Sequence, residues 1–225
     1  MEAEPFYDEF APQEWERLER HRTEFAVTLK ALESFLPDPP SSILDIGGGP
    51  GRYAIALARQ GYSVTILDIS KASLEMAEQK AEEEGVPLKS FIYGNALSSS
   101  KYVSEAFDAV LLMGPLYHLL LEEDRVKAIR EAMKILEPGG RFFSSFITRF
   151  APFREAASSV PNWVLENRDY ALRMLETGLH EAPEKFAKAY FIHPDDVIPM
   201  MENCGLKTLL LLGCEGIVAG HEEKV

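Results

Sequence analysis

The chain of 225 residues is poor in cysteine, in positive charge and in long apolar runs. Its cysteines are Cys204 and Cys214. Two thiols do not complete a four-ligand zinc site, and they are not spaced as Cys-x-x-Cys, so no metal is expected. Isolated thiols in a domain of this size predict a reducing cytosol, and so a cytoplasmic protein. Lys and Arg total 23 against 36 Asp and Glu, a net charge of −13. No three basic residues are consecutive. The basic stripe that nucleic acid or an anionic membrane requires is therefore missing, and neither partner is expected. No apolar run approaches the ~18–20 residues of a membrane span. The opening Met-Glu-Ala-Glu-Pro is acidic and carries no apolar signal-peptide core. There is no internal repeat, and 46% hydrophobic with 26% charged residues is a globular composition that excludes global disorder.

What is present alternates between strand and helix. Trp15, Leu18, Phe25, Leu29, Leu32 and Leu36 are spaced 3, 7, 4, 3 and 4, which predicts one helix over about 11–36. Pro37-Asp38-Pro39-Pro40 ends it. Strands are predicted at 43–46, 63–67, 90–93, 108–113 and 141–147. Helices are predicted at 53–59, from a Ser70 cap to about 84, and at 122–136, the last stopped by Pro138-Gly139-Gly140. Apolar strands alternating with helices predict a mainly parallel sheet covered on both faces. Residues about 148–192 lack strand signals and predict a helical insertion. His193-Pro194 opens another helix, with His193 as a capping or surface residue. A sixth strand is predicted at 207–212 and a short last one at 217–219.

The sharpest signal is Leu44-Asp45-Ile46-Gly47-Gly48-Gly49-Pro50-Gly51, a strand running through glycines into a helix. Glycines let a ligand approach the backbone closely, and consecutive ones are costly in chain entropy for a mere turn. In open parallel sheets the ligand crevice lies beyond the carboxyl ends of the strands. Asp68 ends the second predicted strand, 17 positions after Gly51, since 68 − 51 = 17. A carboxylate there can accept bonds from both hydroxyls of a ribose. Gly94-Asn95-Ala96 follows the third strand, Met113-Gly114-Pro115-Leu116-Tyr117-His118 closes the fourth, and Pro138-Gly139-Gly140 precedes the fifth.

In this order the motifs resemble those of the class I S-adenosylmethionine-dependent methyltransferases. The likeness covers roughly residues 41–147 and continues more loosely to about 219. It implies a Rossmann-like α/β fold with an N-terminal helix and a helical insertion after strand five. Residues 1–40 would form a helical lid, and 41–225 a methyltransferase domain with a cap at about 148–192. It implies a cofactor site built from Asp45, Gly47, Gly48, Gly49, Gly51, Asp68, Ile69, Asn95, Ala96, Met113 and Gly114. Asn95 stands where the family usually has Asp. Its amide oxygen can accept from an adenine amine, and an Asx-type turn is the other reading of it. The reaction implied is methyl transfer from S-adenosylmethionine to a small organic acceptor, with S-adenosylhomocysteine as product. A non-catalytic module binding the same cofactor, and an enzyme acting on a protein, are the alternatives. A homodimer is compatible with the sequence.

A nicotinamide dehydrogenase would space its glycines Gly-x-Gly-x-x-Gly, whereas Gly47, Gly49 and Gly51 are two apart. No Gly-Lys-Ser/Thr follows, which excludes a P-loop. Tyr117 or His118 is expected to orient or deprotonate the acceptor, since an imidazole with an ordinary pKa near ~6.5 suits proton removal near neutrality. Phe6, Tyr7 and Phe10 either cover the cofactor or pack on the sheet. Phe150, Phe153, Trp163, Tyr170, Tyr190 and Phe191 either wall an apolar acceptor pocket or form a satellite core.

Overall fold

The structure is a computed structural model and describes residues 3–160, 162–181 and 187–215. At its centre five strands, all parallel, lie in the order β3-β2-β1-β4-β5. They are β1 (Ser42–Ile46), β2 (Ser63–Asp68), β3 (Ser90–Tyr93), β4 (Phe107–Leu112) and β5 (Leu136–Ser144). The helices linking them are α3 (Arg52–Arg59), α4 (Lys71–Glu83) and α5 (Glu122–Met133), with 3-10 turns at Ala96–Lys101 and Pro115–His118. Ser70 caps α4 as expected, its hydroxyl accepting from the Ser73 amide at 3.0 Å.

Alternation along each strand assigns side chains to two faces. Ile43, Val64, Ile66, Ala109 and Leu111 meet α3, α4 and an N-terminal helix α2 (Arg22–Phe35) on one face. Leu44, Ile46, Leu67, Val110 and Leu112 meet α5 and a late helix α9 (Pro194–Asn203) on the other. Ile43, Leu44, Ile46 and Leu111 are wholly buried, each worth about 1.5–3 kcal/mol of transfer free energy.

Several boundaries differ from the sequence expectation. The single helix over 11–36 is two helices, α1 (Ala3–Arg20) and α2. The chain leaves helical geometry at His21 (φ −104, ψ 58), whose ring turns to Glu215 instead of continuing the helix surface. α1 is kinked at Phe10, just ahead of Pro12, which has no amide to give to the helix ladder. The helix expected to reach 136 ends at Met133, because Leu136 already pairs with Phe107. Pro138-Gly139-Gly140 is a bulge inside β5, not a stop. A Cβ on Gly140 would stand 2.9 Å from the Asp108 carbonyl. β5 ends at Ser144, short of the expected 147.

The insertion is not wholly helical. After α6 (Ala151–Ser159), α7 (Trp163–Glu166) and α8 (Arg168–Thr177) come two short antiparallel strands, β6 (Leu179–His180) and β7 (Ala189–Tyr190). Thr148 and Ile192 form a parallel bridge where the insertion leaves and rejoins the sheet domain. His193 caps α9, its Nδ1 accepting from the Asp195 amide. The strand expected at 207–212 is not formed among the described residues. Leu210 and Leu212 lie against α2 beside Ala26, Val27 and Ala31, and Thr28 donates to Cys214 Sγ at 3.2 Å. The strand expected at 217–219 falls outside the described residues.

Candidate active site

The glycine turn leaves β1 over a buried carboxylate. Asp45 is 3% exposed, and a Cβ on Gly48 would stand 2.7 Å from its Oδ2. Only glycine leaves that carboxylate its place. A Cβ on Gly47 would strike the Pro115 ring at 2.5 Å, so the turns after β1 and β4 also meet at van der Waals limit. Gly114 faces the Gly47 carbonyl in the same seam, and the Met113 carbonyl next to it accepts from Ser145 Oγ. Gly51 caps α3 at φ +85.

Asp68 ends β2 and is also buried. Its Oδ2 accepts from the Gly49 amide at 2.8 Å and its Oδ1 from the Ser70 amide at 2.8 Å. Ile69 adds a third backbone bond. Burial pushes the Asp68 carboxyl upward while these three amides pull it down. Burial, and then the charge of Asp68, push Asp45 to about 7. A carboxyl held at the edge of ionisation by burial and by a second carboxylate is a receptor for a cation, because an arriving ammonium offsets both penalties. The site thus fits a ligand with an ammonium group and vicinal hydroxyls.

Asn95 Oδ1 accepts from the Leu97 amide at 2.8 Å, capping the 3-10 turn that begins at the buried Ala96. Its oxygen thus serves an Asx-type cap, with a second lone pair still able to accept.

Beyond β4 the turn Pro115–His118 presents Tyr117 and His118 under α1. His118 Nε2 lies 2.7 Å from Tyr7 Oη and its Nδ1 3.3 Å from the Lys188 carbonyl. A carbonyl only accepts, so Nδ1 carries the proton and Nε2 accepts from Tyr7. Burial lowers the imidazole to about 4. The expectation of a histidine titrating near neutrality is corrected: it stays neutral throughout the physiological range. Burial also holds Tyr7 well above its ordinary value and Tyr117 at about 12.

α1 crosses the carboxyl edge of the sheet. Asp8 accepts from Ser70 Oγ at 2.7 Å, Tyr93 donates to Glu4 at 2.7 Å, and Tyr7 reaches His118. Phe6 is buried and stacks on Phe10. Behind them Arg17 holds Glu24 through two bonds of 2.6 and 3.0 Å and approaches Glu14 at 3.3 Å. The sequence reading offered Tyr7 as a cover for the cofactor but not as a partner of His118, and it did not place the Arg17 cluster in the site. Tyr7 and His118 are 111 positions apart, and no local pattern links them. Among the insertion aromatics, Phe153, Trp163, Tyr170 and Phe191 pack together in a satellite core with Met174. Phe150 is half exposed against His193, and Tyr190 lies on Arg125.

An open parallel sheet with a glycine turn and two strand-end carboxylates defines a class by its crevice: an α/β protein for a nucleoside-type ligand. Residues 43–140 match the family model described as "Methyltransferase domain". That match, with the relatives that follow, supports a class I S-adenosylmethionine-dependent methyltransferase. Over 173 residues it is 27% identical to the ubiquinone biosynthesis O-methyltransferase of Photorhabdus laumondii subsp. laumondii, a stretch that is 76% of this chain and 64% of that protein. The chain thus spans less than two thirds of that relative's length. A methyltransferase from Methanosarcina mazei superposes with a TM-score of 0.59 at 23% identity, covering 77% of this chain and 82% of that one. Magnesium protoporphyrin IX methyltransferase from Synechocystis, solved with bound S-adenosylhomocysteine, gives 0.63 at 18% identity, covering 90% and 86%. At these identities both are likenesses of fold.

Proposed function

We propose that the protein methylates a hydroxyl of a small organic acceptor at the expense of S-adenosylmethionine. The observation that carries this reading is the buried Asp45–Asp68 pair beneath a turn where Gly48 has no room for a side chain. Bound there, the cofactor would supply a methyl group on a sulfonium, already activated for in-line displacement. Asp45 would hold its ammonium and Asp68 its ribose hydroxyls, with the backbone at Gly47 to Gly51 alongside. Ile69, Asn95, Ala96, Met113 and Gly114 would border the adenosine.

The remaining work of the chain is alignment, exclusion of water and disposal of one proton. Tyr7 and Tyr117 offer neutral phenols to orient the acceptor. In a transfer that makes the C–O bond, breaks the methyl–sulfur bond and leaves S-adenosylhomocysteine, the acceptor hydroxyl would give its proton to Tyr7 Oη while Tyr7 gives its own to His118 Nε2. His118 ends as imidazolium, still donating from Nδ1 to the Lys188 carbonyl. A base with a pKa near 4 is weak, so its contribution falls at the low end of general base catalysis, about 10²-fold. A tyrosine–histidine pair at the carboxyl edge offers a route for the acceptor's proton, which supports catalysis over binding alone. The oxygen acceptor is supported by the relative's name, that of an O-methyltransferase. α1 serves as the lid, and the thiols of Cys204 and Cys214 support a cytoplasmic setting. No helix among the described residues is long and apolar enough to cross a membrane.

Labelled S-adenosylmethionine, offered with a panel of phenols, thiols, amines and carboxylates, tests the reading. Label is expected on a phenol or other hydroxyl. His118→Ala should lower kcat on that acceptor about 10²-fold with unchanged affinity for S-adenosylhomocysteine. Preferred binding of a nicotinamide dinucleotide would remove the proposal, and a loss below tenfold would reduce His118 to a structural role.

A further inference from the structure

Arg125 is a buried cation that forms no ion pair among the described residues, with Glu122 and Asp124 acting on it only at longer range. It lies on α5, is 4% exposed, and is attributed no salt bridge among the described residues. Burial lowers its guanidinium from the ordinary value. A buried arginine without a counter-ion is expensive, so its placement calls for a reason. Its Nη1 donates to two consecutive carbonyls, Leu119 at 2.6 Å and Leu120 at 2.9 Å. Its guanidinium lies 3.7 Å from the centre of the Tyr190 ring. A planar guanidinium can bond in its plane and stack with its face at once, which an ammonium does not.

These contacts fall on the two segments that hold His118. Leu119 and Leu120 follow it directly in the chain. Tyr190 belongs to β7, and Lys188, two residues earlier, supplies the carbonyl that His118 Nδ1 reaches at 3.3 Å. The bond to that carbonyl decides which ring nitrogen is protonated. Its length leaves little margin, since hydrogen bonds weaken steeply beyond this range.

We propose that Arg125 is a positioning residue for the transfer reaction: by clamping the turn after His118 to strand β7, it holds the Lys188 carbonyl on Nδ1 and so keeps Nε2 of His118 the proton-accepting nitrogen. The inference rests on the reading of His118 as proton acceptor, and its first test does not depend on that reading. With the clamp gone, the turn and the hairpin separate, the carbonyl no longer selects a tautomer, and the ring populates both.

The test uses the full chain labelled with nitrogen-15, observed at the imidazole nitrogens, and kcat on the best hydroxyl acceptor of the panel. In the wild type the shifts should report Nδ1–H. In Arg125→Met they should move to a mixture of tautomers, while affinity for S-adenosylhomocysteine stays within about twofold. A misplacement of this kind typically lowers kcat about 10- to 100-fold. Arg125→Lys, which keeps the charge but not the stack, should fall between. Tyr190→Leu removes only the ring face and gives a second route to the same shift if Arg125→Met fails to fold. In a His118→Ala background, Arg125→Met should cost less than about twofold further. Unchanged tautomer shifts in Arg125→Met and Tyr190→Leu would overturn the proposal, as would full additivity with His118→Ala. If His118→Ala turns over normally while the tautomer still follows Arg125, the base assignment falls and the clamp stands.

Discussion

The floor of the site and its roof are built on different principles. The floor is the glycine turn and the ends of β1, β2 and β4, where close approach is enforced atom against atom. Gly48 sits over Asp45, Gly47 against Pro115, and the Gly49 amide on Asp68. Nothing there can shift without displacing a buried carboxylate. The roof is α1, α2, the insertion and residues 206–215. It is held by side chains meeting across long sequence separations: Tyr7 on His118, Asp8 on Ser70, His21 on Glu215. On the proposed reading, a rigid floor would fix the cofactor, and a roof fastened by separable polar contacts would admit an acceptor. Substitutions in the floor should therefore act on cofactor affinity, and those in the roof on turnover.

The largest effect is expected from Asp45→Asn. Removing one member of a buried charge pair typically costs about 2–5 kcal/mol, so affinity for S-adenosylhomocysteine should fall roughly 100-fold or more by calorimetry. Gly48→Ala should match it, since the new Cβ would displace the carboxylate. Wild-type affinity should also decline as pH drops below about 7, where Asp45 gains a proton. Stability has the opposite sign. The folded pKa of Asp45 is raised, so the folded state binds more protons than the unfolded one between about 4 and 7. That contribution is lost as pH rises through 7, and Asp45→Asn should raise the Tm of the ligand-free protein at pH 8. Asp68→Ala comes next, with a loss of about 1.5–3 kcal/mol in ligand affinity. A substitution in this floor that spared affinity and lowered turnover would break the distinction.

The same division decides what the sequence could disclose. Asp45, the glycines, Asp68 and the Ser70 cap were legible because strand, turn and cap are local patterns with period and composition to betray them. The parallel sheet followed from the same alternation. The roof was legible as segments, an N-terminal helix and an insertion, but not in the contacts that fasten it. The periodicity from Trp15 to Leu36 passes unbroken through His21, because the force that ends the helix there is a partner 194 residues away. Residues 207–212 read as a strand by composition, but strand propensity expresses a fit to neighbours, and here α2 is the neighbour. The neutral pKa assumed for His118 failed for a related reason. Burial beneath α1 sets it, and nothing around position 118 announces that cover.

Tyr7→Phe should sharpen the comparison from the roof side. The ring is retained, so its edge contact with Phe6 survives while the hydroxyl's bonds to His118 Nε2 and to Tyr117 are lost. We expect kcat to fall about 10²-fold, as for His118→Ala, because the relay is cut at its first member, with cofactor affinity unchanged. In the wild type the kcat profile should be level from about pH 5 to 8 and drop as pH approaches 4, where His118 takes a proton and no longer accepts one. An acidic limb near 6.5 in kcat would place the histidine in water and contradict its cover by α1.

The smallest effect is expected where three roof segments meet. His21 Nδ1 lies 2.7 Å from Glu215, and Arg154 of α6 reaches the other oxygen of that carboxylate at 2.9 Å. His21, Glu24 and Glu215 bring their ligand atoms within 4.8 Å of one another, yet Arg17 engages Glu24 and Arg154 engages Glu215, so the group is an ion-pair network with its charges already met. The bond to Glu215 raises the His21 pKa against the opposing effect of burial and of Arg17, while Glu215 is held down to about 2. His21 therefore contributes stability that is fully present below its unfolded value of about 6.5 and lost as pH rises through the folded value. Glu215 contributes above about 4.3 and loses its part as pH falls toward 2. The Tm deficit of His21→Ala should peak between about pH 4.5 and 6.5 and shrink at pH 8.5. Both side chains are partly solvated, at 32% and 22% exposure, which limits the pair to about 0.5–1 kcal/mol, or roughly 1–4 °C. Affinity for S-adenosylhomocysteine should not change. A deficit that grows with pH would show that His21 is neutral in the folded protein and that the seam is held by Arg154 and Glu215 alone.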